Sequence, residues 1–242
     1  MKGLTRFVCV GVFSISASPT LAKGETDASA MAPAKETRPV SLTAHATVKD
    51  LSALDKTLAE PVPLPERQEL VLKRGHNEKA KAISCYDWLE LRNNGYEAVT
   101  SYDLSMQSFF KDRCEEIEYL KKAVPAKVSH LDGFRLSVDS LAELPAAMEP
   151  SPSRSPKASP EGSWKDIAPN SQVKVIDPYQ VEITGGGMTS RIRLKARGDF
   201  NHDGIEDLLL FMLSSVTEHT YRAYEHVILT RKEKGGRLIV LK

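Results

Sequence analysis

The spacing of apolar and polar positions changes once along the chain. Between residues 101 and 123, Met106, Phe109, Phe110, Cys114, Ile117 and Leu120 recur at helical spacing on one stripe. Lys111, Asp112, Glu115 and Glu118 fall off that stripe, so the segment predicts a helix with one buried face. Core packing is the ordinary role of such an aromatic stripe, and the lining of a ligand groove is the alternative. An earlier helix is expected to start at Asn77, pass through Cys85 and stop at Asn94-Gly95. Its apolar residues split into two sets: Ala82, Cys85, Tyr86 and Leu89 against Ala80, Ile83, Trp88 and Leu91. Such a helix is expected to lie between two partners. A third, short helix is expected around residues 138–144. From residue 172 the period becomes two. Residues 172–177 and 180–184 alternate, and Gly185-Gly186-Gly187 makes a turn. In residues 191–197 cations alternate strictly with apolar residues, which predicts a half-buried strand. Residues 208–213 are continuously apolar and read as a central strand, with further strands at 221–230 and 237–241. The expected fold class is α+β. An N-terminal helical segment of two or three helices precedes an antiparallel β meander or small curved sheet.

Proline placement supports the same division. Of 14 prolines, none lies in residues 66–124 or 179–242, where regular ladders need every amide. Residues 23–60 are poor in apolar side chains and read as a disordered tether. The expected organisation is a signal peptide at 1–22, the tether at 23–60, a helical segment at 61–148, a Pro/Ser-rich linker or surface loop at 149–163, and a β domain at 164–242.

The first residues read as a targeting signal. Lys2 and Arg6 precede a short apolar run, followed by small residues and a cleavage place after Ala22. The run is too short for a bilayer anchor, which needs about 20 residues, so no transmembrane anchor is expected after cleavage. The expected location is periplasmic or secreted. Cleavage also removes Cys9 and leaves Cys85 and Cys114, an even pair in an oxidising compartment. A Cys85–Cys114 disulfide is expected, with two buried thiols as the alternative. The 242 residues carry 33 Lys and Arg against 32 Asp and Glu. This balance argues against a general nucleic-acid binder, and 41% apolar content argues against a multi-span membrane protein.

One segment carries candidate chemistry. In residues 198–207, Asp199, Asn201 and Asp203 place oxygens at every second position, Gly204 permits a sharp turn, and Asp207 follows. A hard cation such as Ca²⁺ takes six to eight oxygens, and this spacing can supply Asp199, Asn201, Asp203, the Ile205 carbonyl and Asp207. Clustered carboxylates repel one another unless a cation neutralises them. An ion-free Asx-rich turn is the alternative. The first half matches an EF-hand loop, but Leu210 stands where that loop needs a bidentate Glu.

The segment resembles the D-x-[DN]-x-D-G-x-x-D calcium loop of FG-GAP and VCBS-type repeats, and the Leu208-Leu209-Leu210 strand fits that pattern. The resemblance implies a structural Ca²⁺ held by Asp199, Asn201, Asp203, Ile205 through its carbonyl, and Asp207, in a loop joining two strands. It covers about 20 residues in one copy, while a propeller needs several blades, so no full propeller is expected.

Arg191, Arg193, Lys195 and Arg197 form a candidate polyanion-binding stripe, with an anionic glycan or lipid head groups as the matching chemistry. A solvated face paired with acids on a neighbouring strand is the alternative. No nucleophile motif, zinc-protease motif or phosphate loop is present. The sequence therefore favours an exported, calcium-stabilised, non-enzymatic protein that binds an envelope protein or an anionic glycan. An envelope-directed hydrolase and an inhibitor of a secreted hydrolase are the alternatives. A concave pocket with a His–acid pair outside the loop would favour the hydrolase.

Overall fold

Strand β7 (Asp207–Val216) carries the continuous apolar run of residues 208–213, and it lies near the middle of the sheet. A computed structural model describes residues 37–65, 67–150, 161–216 and 222–241. The expected signal peptide, residues 23–36 of the expected tether and residues 151–160 of the expected linker lie outside the described residues.

The fold is α+β. Its antiparallel sheet is a meander in the order β4 (Gln172–Asp177), β5 (Gln180–Gly185), β6 (Met188–Gly198), β7, β8 (Arg222–Thr230) and β9 (Ile239–Val240). Strand β5 pairs with β6 only as far as Arg193. Beyond it, the two-residue strand β1 (Ser41–Leu42) takes the same side of β6, opposite Ala196 and Arg197. Residues 37–60 are therefore part of the folded unit from residue 37 onward, where composition suggested a tether. Their few apolar residues suffice because they are inserted one by one: Ala46 and Val48 are each 2% exposed.

Both faces of the sheet are covered. On one face, Leu194, Leu208, Leu210, Met212, Val227 and Leu229 pack against Leu131, Leu136, Leu144, Met148 and Trp164. That layer is mostly irregular, with short helices at Ser140–Glu143 and Trp164–Ile167. On the other face, Ala196, Leu209 and Ile228 pack against Trp88, Phe110 and Ile117 of the helices. A strand buried on both sides needs no alternation, which is why residues 208–213 read as a continuous apolar run.

The helical layer differs from the sequence expectation at its start. Residues 78–82 form strand β3 (Glu78–Ala82), paired with β2 (Leu70–Arg74) in a hairpin. Helix α2 begins only at Cys85 and spans Cys85–Asn93. Ser84, not Asn77, caps it: the Ser84 hydroxyl accepts from Asp87 N, and the Asp87 carboxylate accepts from the Ser84 and Ile83 amides. The two-sided apolar pattern was the sum of a strand and a helix. In the structure Cys85 and Trp88 are buried, while Tyr86 and Ile83 are exposed.

The next helical run follows the expected stripe, with Met106, Phe110, Cys114, Ile117 and Leu120 all buried. It comprises α3 (Ser101–Phe110), a wide π turn at Lys111–Glu115, and α4 (Glu116–Lys122). The disulfide between Cys85 and Cys114 is present and ties the first turn of α2 to the π turn. No described helix is long and apolar enough to cross a membrane.

Candidate functional site

The loop between β6 and β7 brings four of the expected ligand side chains to one turn. Asp199 is 2% exposed and organises the loop: its carboxylate accepts from the amides of His202 (2.7 Å), Asp203 (3.2 Å) and Gly204 (2.8 Å). Gly204 stands at φ +86°, which an L side chain rarely adopts. The Asn201 carbonyl oxygen accepts from Asp203 N, and the Asn201 amide donates to Asp203 Oδ2 at 2.9 Å. Asp203 Oδ1 accepts from Ile205 N at 2.8 Å. These bonds leave Asn201 and Asp203 on the exposed side of the turn and Asp199 and Asp207 on the buried side. The carboxylates of Asp199, Asp203 and Asp207 do not form a group with ligand atoms all within 4.8 Å of one another.

Asp207 is fully buried at the base of the loop. Its Oδ2 accepts from Phe200 N at 3.0 Å, and the Thr230 hydroxyl, from the facing position of β8, also acts on the carboxylate, although neither Thr230 Oγ1 nor Asp207 Oδ1 makes a bond of ordinary geometry. Burial, helped by repulsion from Asp203 and Asp199, outweighs the hydrogen bonds from Thr230 and the Phe200 amide and pushes the Asp207 carboxyl up to about 6.

The loop is stitched to the chain that follows α4. Val124 and Asp199 exchange backbone bonds at 3.0 Å, and Lys127 N and Val128 N both donate to Gly204 O. His202, at φ +66°, sends Nε2 to the Lys122 carbonyl at 2.6 Å. It falls between ligand places, as its position in the motif implies.

The four cations of β6 do not form one stripe. An extra residue between Leu194 and Ala196 breaks the alternation, because Leu194 pairs with Leu210 and Ala196 with Leu209. Lys195 and Ala196 consequently share the helical face, and Arg197 passes to the opposite face. There it donates to the carbonyls of Leu131 and Phe134. Arg191 pairs with Glu182 on the neighbouring strand at 2.8 Å, and Arg193 donates to Gln180.

Lys195 is 1% exposed. Its Nζ lies 2.6 Å from Asp112 Oδ1, 3.0 Å from Glu116 Oε2 and 2.7 Å from Thr47 Oγ1. Glu116, with no exposed surface, also accepts from Thr47 N and Val48 N. The sequence reading missed Glu116 and placed Asp112 off the buried stripe. The π turn is the reason, since its extra residue swings both carboxylates toward the sheet. Asp112, Glu116 and His226 offer three ligand atoms within 4.8 Å of one another, but the Lys195 ammonium already bridges the two acids.

His226 itself sits under a cavity of about 390 Å³ rimmed by Arg92, Lys111, Lys122 and Tyr224. Its Nδ1 is 3.3 Å from Glu115 Oε2, its ring packs against Phe211 and Tyr119, and its buried Nε2 has no hydrogen-bond partner. Burial alone would raise the Glu115 carboxyl, but His226, Lys111 and Arg92 outweigh it and hold it below the usual range. Nothing in the spacing of the histidines pointed to this residue.

No protein-family model, no curated protein and no solved structure matches this chain.

Proposed function

We propose that the chain is an exported, non-enzymatic protein of the cell envelope, of binding or structural type, whose sheet is stabilised by Ca²⁺ in the 199–207 loop. The observation that supports this reading is the fully buried Asp207, which lies beside a second buried carboxylate, Asp199, and is repelled by both Asp199 and Asp203. Buried carboxylates that repel one another are costly, and a hard cation would neutralise them. Asn201 and Asp203 stand on the open side, where they can close over an ion. Because the loop is bonded to residues 122–128, an ion held there would brace the helical layer against the sheet.

Thermal unfolding of residues 23–242 with Ca²⁺ and with chelator, beside Asp203→Ala, tests this reading. Free ion at about 100 times the dissociation constant should stabilise by about 2.7 kcal/mol, and the variant should abolish the response. An identical melting curve with and without Ca²⁺ overturns it.

The hydrolase reading has one observation in its favour. The Glu115–His226 pair lies at a 390 Å³ cavity, outside the loop. Turnover of an envelope polymer by the wild type, lost in His226→Gln, would support it.

A further inference from the structure

We propose that Lys195 and Asp112 form an intramolecular amide, a second covalent staple beside the disulfide, with Glu116 carrying the proton between them. Lys195 Nζ lies 2.6 Å from Asp112 Oδ1, so the amine and the carboxyl that would join are held in contact, and oriented groups so held react as if at very high concentration. Lys195 and Glu116 are shut off from water, at 1% and 0% exposed. Glu116 is held in place by the Thr47 and Val48 amides, and its Oε2 lies 3.0 Å from the same nitrogen. Electrophile and relay are thus fixed four residues apart on one helical run, and the nucleophile on strand β6.

The electrostatics favour the product. Two carboxylates face one ammonium, and a buried ion pair recovers little of the solvation that its members lose. An amide removes one positive and one negative charge and leaves Glu116 with its backbone donors. Asp112 is the member open to solvent, its side chain 22% exposed, which gives the departing water a way out.

The steps balance without any other reactant. A proton moves from Lys195 Nζ to Asp112 Oδ1, leaving an amine and a carboxylic acid. The amine lone pair attacks Cγ, the carbon–nitrogen bond forms, and the carbonyl electron pair moves onto Oδ2. Glu116 takes one proton from the nitrogen and hands it to Oδ1. The bond from Cγ to Oδ1 then breaks, the carbonyl re-forms at Oδ2, and water leaves. An ammonium and a carboxylate become one amide and one water, and nothing is oxidised or reduced.

The calcium loop plays no part in this reaction, so the two proposals stand or fall separately. The test is the intact mass of the exported protein, denatured and reduced, beside Lys195→Arg made in the same cells. Wild type should be lighter than its sequence by one water, and fragment ions should place the bond between tryptic segments 112–113 and 194–197. Lys195→Arg, which keeps the charge, and Glu116→Gln, which cannot relay the proton, should both carry their full sequence mass. Asp112→Asn should lose ammonia in place of water if it reacts, a signature that a purely structural ion pair cannot produce. Wild type at full sequence mass, or a water loss located elsewhere in the chain, overturns the proposal.

Discussion

Asp207 shows how a single buried carboxyl sets a pH response. Its folded value of about 6 lies above its ordinary value of 3.8, so the ion-free folded chain holds a proton that the unfolded chain has already released. The sign follows: ion-free stability should fall as pH rises from about 4 to about 6 and level off above, by about 3 kcal/mol in all. Asp207→Asn should flatten that slope, raise ion-free stability at pH 7 and remove any response to Ca²⁺. Denaturant unfolding at pH 4.5 and 7 with chelator checks it, and an unchanged slope would sink the account. Conversely, Ca²⁺ must displace the Asp207 proton below pH 6, so its stabilising effect should grow between pH 5 and pH 7. The positions of the loop residues were legible in the sequence because alternate oxygens and a glycine form a local pattern. The complete burial of Asp207 was not, because it depends on how strand β7 is packed among its neighbours.

Among the elements, α2 gives the sharpest contrast between pattern and structure. Alternation in residues 78–82 is weak because Glu78, Lys79 and Lys81 are solvent-facing, so a hairpin and a helix read as one helix. Ser84→Ala should cost about 1 kcal/mol and Asn77→Ala close to nothing, since only Ser84 caps the helix. Thermal melts of the two variants decide between the two starting points. The disulfide was legible because, once the expected cleavage removes Cys9, two cysteines allow one pairing. A Cys85→Ser, Cys114→Ser double variant should lose about 3 kcal/mol, and reduced wild type should match it. Equal stability of oxidised and reduced protein would contradict that. The π turn was invisible, because no residue type marks it, yet it decides that Asp112 and Glu116 face the sheet.

For the whole molecule, the order of strands followed from sequence, since a meander pairs neighbours in the chain. The role of residues 37–48 did not, because they contribute two ladder positions and a few small side chains in place of a hydrophobic run. A chain starting at residue 49 should lose on the order of 3 kcal/mol against one starting at residue 37, because the Glu116 carboxylate loses its Thr47 and Val48 donors and the core loses Ala46 and Val48. Urea unfolding of the two lengths measures this, and equal midpoints would argue against it. The supernumerary residue in β6 acts on the molecule as a frameshift acts on a message. Upstream of it, even-numbered side chains enter the core that holds Trp164, and downstream the parity is inverted. Deleting one residue there would restore the frame and send the polypeptide into the 199–207 turn half a pleat out of phase. The turn would then open away from residues 124–128, and a calcium ion bound there would brace nothing.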